Sequence, residues 1–303
     1  MDIKNFKINS TSDGLPLACT MMANTKTPKA AIIFSHGMAE HKERYYDFMR
    51  FLCEHDFVVM IHDHRGHGES IKERADLGYF YDSTSDYIVE DLHDVYEYIH
   101  AQFNAIPVYL FAHSMGTLVA RKYLKKYDDT ITKLVLSGAP CNNALISIAI
   151  AVAKIVQCFK GDHFRSNLIN NLVFGANNQK FDSNLKNCWL SANIDNVETY
   201  NSDPLCGYVF TCNGFINLFK LVKATYSQKG WAMQNSDLPI LFVAGADDPI
   251  IGSLNQWQAA QDDLKQHGYH NVEGISYKGL RHEILNEKEK ETIYQDVLNF
   301  YQK

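Results

Sequence analysis

Ser114 stands at the end of an apolar run, Val108-Tyr109-Leu110-Phe111-Ala112-His113, and a helix-like pattern of Leu118, Val119, Tyr123 and Leu124 follows it. That order spells strand, tight turn, helix. Ala112 and Gly116 lie two places either side of the serine. Small side chains are needed there because strand and helix nearly touch at so sharp a reversal. Such a turn holds the serine in a strained backbone conformation with Oγ pointing out of the sheet. The helix behind it aims free N–H groups and its positive dipole end at the space beside Oγ. The chemistry this suits is acyl transfer, in which an alkoxide attacks a carbonyl and negative charge develops on oxygen.

A serine hydroxyl needs a base to take its proton and a carboxylate to orient that base. Two later loops supply them. Asp247 and Asp248 lie in Gly245-Ala246-Asp247-Asp248-Pro249-Ile250, directly after the apolar run Pro239–Ala244. His282 lies in Gly279-Leu280-Arg281-His282-Glu283, after the strand-like stretch Val272–Ser276. Asp248 is the preferred carboxylate, because the residue before a proline is pushed toward extended backbone and projects its side chain in a fixed direction; Asp247 is the fallback. Alone, Asp248 reads as a turn residue and His282 as a surface residue. Together with Ser114, in the order Ser, Asp, His and each beyond a strand end, they point to one site. A rival constellation is His62, His64 and His67, whose H-x-H-x-x-H spacing some binuclear zinc hydrolases use. Gly66 stands where such sites usually carry an aspartate, and no further ligands can be placed downstream.

These loops must be presented by a sheet. Residues from Ile3 to about Met22 read as a hairpin turning at Ser12-Asp13-Gly14. Ala30–Ser35, Phe57–Ile61, the run before Ser114, Lys133–Ser137 and Pro239–Gly245 are short apolar runs of the buried-parallel-strand type. Helical patterns beginning near Arg44, Ser85, Ser114, Ser253 and Glu287 alternate with them, which predicts an α/β fold with a parallel sheet covered on both faces. The rhythm breaks between about Cys141 and Trp231, where asparagine-rich, helix-like segments predict an insertion. The expected division is therefore a core of 1–140 and 232–303, with a helical lid (cap) at 141–231.

Composition narrows the partners. At 303 residues, with 46% hydrophobic and 21% charged residues, the chain has the balance of a soluble globular protein. A formal charge of −6 and the lack of a basic stripe argue against nucleic acid. Seven scattered cysteines without a C-x-x-C pair fit a reducing compartment, and the N-terminus lacks a signal-peptide core, so the expected location is cytoplasmic. The longest apolar run, Ala144–Phe159, contains Lys154 and Gln157 and falls short of a membrane span. It reads either as a lid helix that touches a lipid surface or as a helix buried against the core.

Four ordered motifs carry a resemblance: His36-Gly37-Met38-Ala39-Glu40-His41, Asp63-His64-Arg65-Gly66-His67-Gly68-Glu69-Ser70, His113-Ser114-Met115-Gly116 and Arg281-His282-Glu283-Ile284-Leu285-Asn286-Glu287. They resemble the monoglyceride lipase and lysophospholipase branch of the α/β-hydrolase superfamily (serine aminopeptidase S33-type hydrolases), and Asp203-Pro204-Leu205-Cys206-Gly207, inside the insertion, resembles the lid of its bacterial lysophospholipase-like members. The resemblance spans nearly the whole chain. It implies an eight-stranded, mostly parallel sheet under a helical lid, a Ser114–Asp248–His282 triad, and an oxyanion hole from the backbone N–H groups of Met38 and Met115. It also implies that Glu40 and Arg44 help line the alcohol end of the pocket, and it implies no cofactor and no metal. Two positions depart from the pattern: Ala112 replaces the first elbow glycine, and Leu285 stands where monoglyceride lipases carry a second histidine.

The expected activity is hydrolysis of monoacylglycerols or lysophospholipids through an acyl-enzyme. The alternatives are a short-chain or aryl carboxylesterase, a peptidase of the same branch, and, more remotely, the zinc hydrolase. A non-catalytic interaction module would be expected to lack a triad member, and none is missing.

Overall fold

The structure, a computed structural model, describes residues 1–181 and 184–303. Eight strands form one sheet: β1 (Asp2–Asn9), β2 (Pro16–Ala23), β3 (Ala30–Ser35), β4 (Phe57–His62), β5 (Val108–His113), β6 (Lys133–Ser137), β7 (Ile240–Gly245) and β8 (Val272–Tyr277). Their order is β1-β2-β4-β3-β5-β6-β7-β8. β2 runs antiparallel to its neighbours β1 and β4, and every pairing from β4 to β8 is parallel. The β1–β2 hairpin turns where Gly14 takes a positive φ of 76°.

Period-two alternation splits each central strand between two cores. Ile33, Met60, Leu110, Leu136 and Phe242 face one, with Leu92 and Val95 of α2 (Tyr87–Gln102), Leu118 and Leu124 of α3 (Met115–Tyr127), and Leu264 of α8 (Leu254–Gln266). Phe34, Ile61, Phe111, Val135 and Val243 face the other, with Phe48 and Leu52 of α1 (Tyr46–Cys53) and Ile293 and Val297 of α9 (Lys290–Gln302). Strands buried on both sides explain why they read as continuous apolar runs.

The insertion between β6 and β7 is helical: α4 (Ile146–Lys160), α5 (Asn167–Phe174), α6 (Ile194–Ser202) and α7 (Cys212–Thr225). α7 is largely buried and packs against α3, and α4 packs on α7. Along α4 only Ala153 is fully buried, whereas Ile148, Ile155 and Phe159 are 61%, 58% and 81% exposed. The Ala144–Phe159 run therefore forms a helix with an uncovered apolar face. Among the described residues, no helix is long and apolar enough to cross a membrane.

Two helix starts differ from the sequence reading. The helix expected near Arg44 begins at Tyr46, after a 3-10 turn at Lys42–Tyr45, because Arg44 and Tyr45 turn inward onto Glu40. The final helix begins at Lys290 and not at Glu287. The buried Glu287 carboxylate instead accepts hydrogen bonds from Ser191 Oγ and from the backbone N–H groups of Ala192, Asn193 and Arg281. A side chain spent on four distant donors holds the chain extended there.

Candidate active site

The reversal after β5 is as sharp as the sequence spacing requires. Ser114 sits at φ 51° and ψ −120°, in the left-handed half of the backbone map that a non-glycine residue rarely occupies. Its own N–H donates to Ser137 O at 2.9 Å, which ties the apex to β6. A Cβ on Gly116 would lie 2.1 Å from Ser35 O, so only glycine fits where helix and strand cross. At the other small position Ala112 is fully buried between Ser35 and Leu136, and its methyl is accommodated.

His282 and Asp248 reach this apex from the ends of β8 and β7. Gly245 makes the crossing possible: a Cβ there would lie 2.2 Å from the carbonyl oxygens of Leu280 and Arg281. Asp247 N–H then donates to Leu280 O at 3.0 Å, joining the two loops. Ser114 Oγ donates to His282 Nε2 at 2.8 Å, and His282 Nδ1 donates to Asp248 Oδ2 at 2.7 Å. The other carboxylate oxygen of Asp248 accepts from Ile250 N–H at 2.8 Å, so both oxygens are fixed. Gly138 makes room for the ring, since a Cβ there would sit 3.0 Å from His282 Nδ1 and Cε1. Asp247 is exposed and points elsewhere.

Burial alone would push the His282 imidazole toward neutrality, but the charge of Asp248 and the hydrogen bond to it outweigh burial and raise its pKa above the ordinary value. For His282 to serve as a base it must be neutral when it accepts the serine proton, so with that role the raised pKa would set the acid limb of activity. We expect kcat/KM for an ester to fall as pH drops through a pKa above about 6.5, the unperturbed histidine value. A pH–rate profile with its acid limb below that point would contradict the pairing.

Above Ser114 lies the loop after β3. Gly37 N–H is occupied by Glu40 Oε1 at 2.5 Å, whereas the N–H groups of Met38 and Met115 meet no partner among the described residues. A Cβ on Gly37 would approach Ser114 Cβ to 3.2 Å, so the loop passes directly beside Ser114. Met115 is the first residue of α3, where an N–H has no intrahelical acceptor.

Glu40 and Arg44, singled out by resemblance, form one buried network. Glu40 accepts from Arg44 Nε at 3.1 Å and from the Tyr45 hydroxyl at 2.7 Å. Arg44 Nη2 donates to Glu283 and to Asn196 Oδ1, and its guanidinium lies over the Tyr200 ring. Burial raises the Glu40 carboxyl pKa. Burial works against the Arg44 charge, but Glu283 and Glu40 more than compensate and keep it charged. With Arg44 they border a void of about 10 Å³, next to His113 and Leu285. Arg44→Met would leave two carboxylates buried without their cation, an arrangement that costs about 3–5 kcal/mol. Urea denaturation should show that loss, and a change under about 1 kcal/mol would mean the carboxylates are not held by Arg44.

The rival zinc constellation does not assemble. His64 Nε2 is bonded to Ser35 Oγ at 2.9 Å, His67 Nδ1 donates to Arg65 O, and both His62 nitrogens are buried without a partner. Burial pushes His62 and His67 down to about 3 and about 4, so these rings are neutral core residues. Their ligand atoms form no converging group.

Four contributors escaped the sequence reading. Glu283 stands in the sequence only as part of the Arg281–Glu287 motif; an acid beside His282 and an arginine in the His-Gly loop are the signal that points to it. Trp189, 5.2 Å from the His282 ring, and Leu190 O, which accepts from Glu283 N–H at 2.7 Å, come from the insertion, where no periodicity marks them. Gly138 follows a strand like any turn glycine.

Comparison with known proteins agrees with this architecture. The serine aminopeptidase, S33 family model matches residues 26–289. Human monoglyceride lipase is 30% identical over 245 residues, which cover 80% of this chain and 73% of the human protein. Phospholipase YtpA of Bacillus subtilis is 26% identical over 277 residues, 90% of this chain and 95% of its own. A thermostable carboxyl esterase from Bacillus coagulans, solved with glycerol, superposes on 100% of this chain and 98% of its own with a TM-score of 0.87 at 22% identity, a likeness of fold. With the family model covering most of its length and a strand–serine–helix elbow at the centre of its sheet, the chain belongs to the serine aminopeptidase S33 family of α/β hydrolases.

Proposed function

We propose that the protein is a serine carboxylic-ester hydrolase acting on monoacylglycerols or lysophospholipids. The observation that carries the reading is the unbroken relay from Ser114 Oγ through His282 to Asp248 at 2.8 and 2.7 Å. Ser114 Oγ attacks the ester carbonyl while His282 Nε2 takes its proton and Asp248 stabilises the imidazolium. The Met38 and Met115 N–H groups receive the developing oxyanion; removing one such donor typically lowers turnover about 10²–10³-fold. His282 then protonates the leaving alcohol, and a water activated by the same ring releases the acid and restores Ser114.

The named activities of the human and Bacillus subtilis relatives support a lipid ester as substrate. So does the apolar face of α4 and α5, where Ile148, Phe159, Leu168 and Leu172 are each more than half exposed, as a lid that touches a lipid surface would leave them. In this reading 141–231 caps the pocket over a core of 1–140 and 232–303, and the seven free cysteines favour a cytoplasmic setting. A peptidase would need free carboxylates to hold an α-ammonium group. Glu40 and Glu283 are both engaged by Arg44, which favours a neutral alcohol end.

A panel of esters with chain length and head group varied independently, run beside aminoacyl anilides, tests this. Long-chain monoacylglycerols or lysophospholipids should give the highest kcat/KM. Faster cleavage of the anilides would replace the reading with the peptidase, and a maximum at acetyl or aryl esters would replace it with a simple carboxylesterase.

A further inference from the structure

Among the described residues, one group of three side chains brings metal-ligating atoms together, and it lies outside the Ser114 relay. His41, Asp203 and Cys206 each offer one ligand atom, and the three atoms lie within 4.8 Å of one another. His41 ends the loop that carries Met38, whereas Asp203 and Cys206 belong to the turn after α6. We propose that these residues form a zinc site that fastens the loop after β3 to the insertion.

The donor set selects the metal. One imidazole, one thiolate and one carboxylate suit Zn²⁺, whereas Mg²⁺ and Ca²⁺ take oxygen ligands. Around tetrahedral zinc, ligand atoms stand roughly 3.3–3.8 Å apart. The His41 Nε2–Asp203 Oδ2 contact of 2.8 Å must therefore open by about 0.5 Å, and Cys206 Sγ, within 4.8 Å of both atoms, need draw in by no more than about 1 Å. The turn is already shaped for this. Asp203 Oδ1 is held by Leu205 N–H at 2.7 Å, Cys206 N–H donates to Asp203 O at 3.0 Å, and Gly207 N–H donates to Ala39 O at 2.9 Å. His41 and Cys206 are buried, and the Asp203 side chain is 26% exposed, which leaves the site open to solvent on that side; a water would complete the four ligands.

In the metal-free pair His41 Nε2–H donates to Asp203. On binding, that nitrogen loses its proton to Nδ1, which faces Glu43 Oε2 at 4.0 Å, an outer-shell carboxylate of the kind that orients ligating histidines. A Zn–S bond replaces the S–H bond of Cys206, and its proton leaves to solvent. No electron is transferred.

Cobalt(II) titration of chelator-treated protein tests the site without reference to activity. One equivalent should produce the near-ultraviolet thiolate-to-cobalt band, release a proton and be displaced by zinc; Cys206→Ser should lose the band. Absence of the band in the wild type, or its retention in Cys206→Ser, overturns the site and leaves an ordinary histidine–aspartate bond. If Cys206→Ser fails to fold, as judged by circular dichroism, Asp203→Asn decides the matter. The proposal requires zinc to bind that variant at least about tenfold more weakly, and unchanged affinity overturns it.

Discussion

Ser114→Ala is expected to lower ester turnover by about 10⁶-fold, the scale found when a serine nucleophile is deleted from a triad. Labelling by a fluorophosphonate probe should disappear with it. The protein should stay folded, because the Oγ–H donates only to His282 Nε2, and the backbone contacts that hold the apex do not involve the side chain. Alanine must still adopt φ 51°, as serine does, so the strain of the elbow is unchanged to first order. Tm measured by scanning calorimetry should therefore move little while activity vanishes. Persistent labelling in the variant would place the nucleophile elsewhere. A large loss of Tm with residual turnover would make Ser114 a structural residue at a strand–helix junction.

Why so much of this was legible follows from where each signal is stored. The central strands β3 to β7 are buried on both faces, so each reads as a bare apolar run such as Ala30–Ser35. The elbow is local, and its constraints fall on Ala112, Ser114 and Gly116 within five residues. Asp248 and His282 are remote in sequence from Ser114, but parallel strands deliver their following loops to one edge of the sheet, and counting strands was enough to place them. Long-range side-chain partners left no such trace. That Arg44 would be shared between Glu40 and Glu283, and that Glu287 would accept four donors and delay α9, depends on tertiary approach alone. The insertion was legible only as a break in rhythm. Its helix α7 closes on α3 while α4 keeps an apolar face outward, although α4 is the richer of the two in apolar residues.

Asp248→Asn is expected to lower kcat by about 10⁴-fold with the site geometry kept, the magnitude seen when a triad aspartate becomes an amide. The amide nitrogen would face His282 Nδ1 as a donor, and the imidazole would respond by carrying its proton on Nε2. That nitrogen then donates to Ser114 Oγ and cannot accept from it. The electrostatics change in the same step. The pKa of His282 is held up against burial by the Asp248 charge, so with that charge gone burial prevails and the pKa falls. The acid limb of kcat/KM should therefore move to lower pH even as turnover collapses, a pairing that simple misfolding does not produce. Asp247→Asn is the control, since its side chain is exposed and only its backbone N–H joins the neighbouring loop. It should change turnover by no more than about twofold, as surface substitutions do. A reversed result, with Asp247→Asn inactive and Asp248→Asn active, would mean that the loop after β7 presents its other carboxylate to the imidazole when substrate is bound.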